Sequence, residues 1–180
     1  MAGKIKEIQQ DTFKKDVLEK KLAVVDFYST ECPPCEALAA KFEPLSELYG
    51  DDIAFVKIFR QENRELAKEL DVTGSPTLLF YRNGELTGDK LAGGIKRSDI
   101  MRNLDVLLPE KRVEEIHASI EEKTTEADVV ILGGGPAGLT AGLYLAQAHL
   151  KTILVDVALP GGYVATTHQV SNYPGFIEAQ

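Results

Sequence analysis

The chain has 180 residues, with 20 Lys and Arg against 28 Asp and Glu and a net charge of −8. No Lys/Arg cluster in this acidic chain points to nucleic acid or anionic lipid, so neither is expected as a partner, and no apolar stretch approaches the ~20 residues of a membrane span. Residues 1–16 are polar with no apolar core, so they are not read as a secretory signal, and the expected compartment is the cytoplasm.

A short extended piece followed by a helix is expected over residues 5–21. Leu22–Tyr28 is a strand, apolar on both faces as in the centre of a covered sheet. Residues 37–48 read as a helix with Leu38, Phe42, Leu45 and Leu48 on one stripe and Pro44 as a kink. A strand over 53–59, a helix over 62–70 and a strand over 78–81 follow. Asn83–Gly84 is a hairpin turn signal, with a return strand over 85–91. A closing helix over 98–108 has Ser98 as its candidate N-cap. The first α/β unit therefore spans 1–108. Residues 109–126, rich in Glu, Lys and Thr, read as a charged linker with a thin apolar stripe at Val113, Ile116 and Ile120. A strand over 128–132, a glycine-rich turn, a helix over 139–149 and a strand over 151–156 then make a βαβ unit.

The only cysteines are Cys32 and Cys35, in the run Cys32-Pro33-Pro34-Cys35. Two cysteines make neither a disulfide framework nor a four-thiolate zinc site, and His117, His149 and His168 show no zinc spacing, so no metal is expected. A dithiol where a strand feeds a helix is a redox site more often than a staple. Cys32, at the helix edge, meets unpaired N–H groups and the positive end of the helix dipole, which favour a thiolate. It is the candidate nucleophile, and Cys35, one turn further in, the resolving thiol. Glu31 and Glu36 act in the opposite sense on the thiolate. Asp26 sits inside an apolar strand. One reading is a solvent-facing strand-end residue; the other is a buried carboxyl acting as proton acceptor for Cys35, with Lys57 on the next strand as its partner. The bond before Pro76 is a candidate for the cis isomer, with a trans turn proline as the alternative.

Residues 1–108 resemble thioredoxin. The resemblance rests on Val25-Asp26-Phe27, Cys32-Pro33-Pro34-Cys35, Lys57, Gly74-Ser75-Pro76-Thr77 and Asn83-Gly84. It implies a thioredoxin fold in which Cys32 attacks a substrate disulfide, Cys35 resolves the mixed disulfide, and Asp26 shuttles a proton beside Lys57. It also implies a cis Pro76 and a substrate-binding edge formed by Pro33, Pro34, Ser75, Pro76 and Gly93. The sequence departs from the family at Glu31, where Trp is usual, at Pro33, where Gly is usual, at Tyr28, where Trp is common, and at Ala40, where the helix-kinking proline usually stands.

In the second half, Gly133, Gly135 and Gly138 follow a strand and open a helix, and Asp156 ends the next strand. This is the order of a dinucleotide fingerprint, with the glycines at a pyrophosphate and the acid at a ribose hydroxyl. Residues 133–142 are similar to the FAD-binding opening of thioredoxin reductase. Gly161-Gly162-Tyr163 and Asn172-Tyr-Pro-Gly-Phe176 resemble segments of that enzyme that approach the flavin. The resemblance implies a partial Rossmann-like, FAD-binding βαβ unit over 127–180, FAD with NADPH as cofactors of the full-length reductase, and Gly161, Gly162 and Asn172 as further cofactor contacts. One βαβ unit without a second cysteine pair is read as an incomplete flavin domain, from a truncated chain or from a thioredoxin–thioredoxin reductase fusion. FAD binding is read as an ancestral capability of this segment, and reductase activity is not expected from it. The expected function is reduction of protein disulfides, with other disulfide proteins and a reductase module as partners. The alternative is an NADPH-dependent flavoprotein disulfide reductase fragment whose first half is an internal electron acceptor or docking module.

Overall fold

The computed structural model describes residues 5–122, 124–156, 160–162 and 164. The chain divides into two compact units, residues 1–121 and 122–180.

The first unit is a sheet covered on both faces. Its strands are β1 (Lys6–Ile8), β2 (Leu22–Tyr28), β3 (Ala54–Phe59), β4 (Thr77–Arg82), β5 (Glu85–Leu86) and β6 (Leu91–Ala92). The order is β1-β3-β2-β4-β5, with β6 also paired to β4. β1 and β2 run parallel to β3, whereas β4 is antiparallel to β2. β2 lies at the centre, and six of its seven residues are buried, which is why it reads as an apolar run on both faces apart from Asp26.

The helices are α1 (Pro33–Tyr49), α2 (Arg64–Glu69), α3 (Arg97–Leu107) and α4 (Glu110–Ala118), with a short π-helical turn at Lys14–Leu18. Alternation along the strands sends Val24, Phe55, Leu78 and Phe80 into one core layer with Leu38, Phe42 and Leu45 of α1 and Ile100 and Leu104 of α3. Val25, Phe27, Val56, Ile58 and Leu79 form the other layer with Phe13, Val17 and Ala67. α1 runs unbroken through Pro44.

Four details differ from the sequence reading. The expected helix before residue 21 shrinks to the π-helical turn. The return strand after the hairpin is split into β5 and β6, because Asn103 reaches in from α3 and its Oδ1 accepts the Asp89 N–H at 2.7 Å. Ser98 is not the N-cap of α3; Lys96 holds that position, with extended backbone and no side-chain cap. Within the segment read as linker, residues 110–118 are helical, and Ile116 is buried in the first unit's core. α4 is further fixed by Arg112 Nε, 2.8 Å from Asp52 Oδ2, and by a cluster of Tyr49, Asp105 and His117. The Tyr49 hydroxyl, in the core, donates to Asp105 Oδ1 at 2.7 Å, and His117 Nε2 lies 3.1 Å from Asp105 Oδ2.

The second unit holds β7 (Val129–Leu132), α5 (Pro136–Gln147) and β8 (Thr152–Val155). β7 and β8 pair in parallel from Val129↔Thr152 to Leu132↔Val155. Val129 and Ile131 are half-buried, while Val130 and Leu132 are exposed. No residue of α5 is fully buried.

Candidate active site

Cys32 and Cys35 are joined by a disulfide, with their Cα atoms 5.2 Å apart. Cys32 is the N-cap of α1, and its Sγ accepts the Cys35 N–H at 3.2 Å. Pro33 and Pro34 fill the first helical positions, where proline's missing N–H leaves no helical bond unmade. They also leave Cys35 as the first residue after Cys32 with an amide to offer its sulfur. Cys32 is half-buried, Pro33 and Pro34 are exposed, and Cys35 is buried with its Sγ 3.8 Å from Ser29 Oγ. Glu31 has a positive φ of 51°, which turns the chain into the helix, and Glu31 and Glu36 are exposed.

The Ser75–Pro76 peptide bond is cis. Cys32 Sγ lies 3.7 Å from the Ser75 carbonyl oxygen, so the dithiol and this loop form one edge. Gly93 joins it, donating its N–H to the Pro76 carbonyl at 3.1 Å. Sequence reasoning missed Arg60, whose Nε donates to Ser75 Oγ at 3.0 Å, and Ser29; both approach the site only through strand packing.

Asp26 is buried, and its Oδ1 has no hydrogen-bond partner among the described residues. The solvent-facing alternative is therefore excluded. Burial pushes its carboxyl up to about 7, with the Lys57 charge pulling the other way. Lys57 stands next to Asp26 in the β2–β3 register, yet its Nζ pairs with Glu7 Oε2 at 3.4 Å and lies 5.2 Å from the centre of the Tyr28 ring. The Asp26–Lys57 ion pair of the sequence reading is not formed, because the ammonium sits on the wetter carboxylate. The Tyr28 hydroxyl donates to Glu7 Oε1. That bond holds Glu7 below the usual carboxylate range, and burial together with Glu7 raises Tyr28 to about 12.

In the second unit, Gly133 has φ +101°, and Gly135 is the N-cap of α5. A Cβ on Gly138 would lie 1.9 Å from the Gly133 carbonyl oxygen, so only glycine lets the helix close on the turn. The Asp156 carboxylate accepts the Gly134 N–H. Gly161 donates to the Gly134 carbonyl at 2.7 Å, and Gly162 lies over Gly135. Gly133, Gly135, Gly138, Asp156, Gly161 and Gly162 thus gather round one turn. Asn172 lies outside the described residues.

A covered mixed sheet with a helix-capping dithiol beside a cis-proline loop defines a thioredoxin fold. Residues 4–106 match the family model described as Thioredoxin, and the chain belongs to the thioredoxin family. Residues 111–170 match a second model, the Thi4 family. The chain is 36% identical over 108 residues to thioredoxin X, chloroplastic, of Arabidopsis thaliana, covering 59% of each chain. Its C-terminal part is 51% identical over 49 residues to thioredoxin reductase of Bacillus subtilis, which is 27% of this chain and 16% of that enzyme. The structure of thioredoxin F from spinach chloroplast (short form) superposes with a TM-score of 0.53 and 32% identity, over 59% of this chain and 95% of that one. The chain thus spans less than two thirds of thioredoxin X and a small part of the reductase. A thioredoxin domain is followed by a partial FAD-binding-like segment. Among the described residues no helix is long and apolar enough to cross a membrane.

Proposed function

We propose that this chain reduces protein disulfides through Cys32 and Cys35. The reduced Cys32 thiolate attacks one sulfur of a substrate disulfide, forming a mixed disulfide and expelling the first substrate thiolate. Asp26 takes the Cys35 proton, and the Cys35 thiolate attacks Cys32 Sγ and releases the second substrate thiolate. The substrate gains two electrons and two protons, one returned from Asp26 and one from solvent, and the chain ends with the Cys32–Cys35 disulfide. Ser75, Pro76, Gly93, Pro33 and Pro34 receive the substrate peptide, and Lys57 tunes Asp26. The observation that carries this reading is the half-buried Cys32 sulfur lying 3.7 Å from the Ser75 carbonyl beside the cis proline, with Cys35 buried behind it.

The domains are read as a thioredoxin domain, extended beyond residue 108 by the packed α4, and a flavin-binding segment over 127–180, from the parent of a thioredoxin–thioredoxin reductase fusion. The conformation of the glycine turn and the close approach at Gly138 support a dinucleotide reading with a phosphate over the helix N-terminus, where the Asp156 carboxylate holds the Gly134 N–H. Gly133, Gly135 and Gly138 would hold the FAD phosphates, Asp156 a ribose hydroxyl, and Gly161 and Gly162 the nearby cofactor surface. Bound flavin supplies hydride chemistry with NADPH. The partners are disulfide-bearing proteins and a reductase module, in a compartment that keeps dithiols reduced, such as the cytoplasm. The test is reduction of insulin disulfides with dithiothreitol as electron source. Cys32→Ser is expected to lower the rate to the uncatalysed level; a fully active variant overturns the reading.

A further inference from the structure

Glu7, Lys57 and Asp26 occupy one rung across three adjacent strands, since Glu7 and Asp26 are each in register with Lys57. Lys57 is in the middle, with one ammonium for two carboxyl groups. It takes the edge strand's Glu7, whose side chain is 49% exposed, rather than the buried Asp26. A pair that stays half in water avoids most of the desolvation that an inward pair would cost. Tyr28, two residues beyond Asp26 on β2, closes the outer set by donating to Glu7 while its ring lies under the Lys57 ammonium.

We infer that Glu7 is a positioning residue of the dithiol site: with Tyr28 it holds Lys57 at the sheet edge and thereby sets how firmly Asp26 keeps its proton. This rests on the proposed role of Asp26 as proton acceptor. Among the described residues Lys57 is the charged group that acts on Asp26. Glu7, Glu62 and Asp26 itself act on Tyr28, Lys57 acts on Glu7, and β4 places the uncharged Leu78 opposite Asp26. An exposed ion pair adds little stability. The reach of Glu7 is electrostatic: without it, Lys57 has Asp26 as its remaining carboxylate on the rung, and a neighbouring cation favours the ionised form.

The experiment follows the Asp26 carboxyl carbon by NMR from pH 4 to 9 in the oxidised full chain, with no disulfide substrate present. Glu7→Gln is expected to lower the Asp26 midpoint by about one pH unit, and Tyr28→Phe to lower it by less. In a Lys57→Met background the Glu7→Gln shift is expected to shrink by more than half. An unmoved midpoint in Glu7→Gln, or an equal shift without Lys57, overturns the inference. Failure of the proposed activity shows separately, in the Cys32→Ser assay, because the titration requires no turnover.

Discussion

The dithiol's chemistry depends on residues that the sequence makes visible to different degrees. Cys32 and Cys35 stand out as the only thiols, and Asp26 as a charge inside Ala-Val-Val-Asp-Phe. Glu7 and Tyr28 carry no such signal, because their roles arise from the register of β1, β2 and β3, which joins residues far apart in the chain. Asp26 also has a measurable effect on stability. Its folded value, about 7, lies above its ordinary 3.8. Between those values the folded chain holds the proton and the unfolded chain has lost it, so stability is fully present below about pH 4 and falls as pH rises to about 7. A shift of about three units corresponds to up to about 4 kcal/mol. Asp26→Asn is expected to flatten that slope and to leave the oxidised chain more stable than the parent at pH 8, as read by urea denaturation at pH 5 and pH 8.

Elements whose burial is written into consecutive residues were legible, and elements shaped from outside were not. β2 announces itself by an apolar run interrupted at Asp26, and α1 by its stripe. The split between β5 and β6 is held by Asn103 from α3, and its local sign in residues 85–92 is Gly88, at φ +82° against the Asn103 side chain. α4 is the informative case. Its charged composition masks one core residue, Ile116, which is 3% exposed and packs with α1 and α3 residues. Ile116→Ala is expected to destabilise the first unit by about 2–4 kcal/mol, measured by chemical denaturation. A substitution in an unpacked linker would leave the midpoint in place.

At the scale of the whole chain, both core clusters of the first unit draw, among the described residues, on the stretch between Ile5 and Ile116. The dithiol site is built from the same stretch. Removal of residues 122–180 is therefore expected to leave the dithiothreitol-driven rate of insulin reduction within about twofold, since independent units keep their own cores. A larger loss would mean that the site extends beyond the first unit. The two-part organisation was legible in the sequence because a glycine fingerprint restarts the strand–helix pattern after a charged stretch. The place where the first part ends was not, because it depends on the anchoring of α4. That anchoring has a mechanical consequence. Residues held against a core cannot serve as slack, so residues 110–118 add no free length to the connection between the two units.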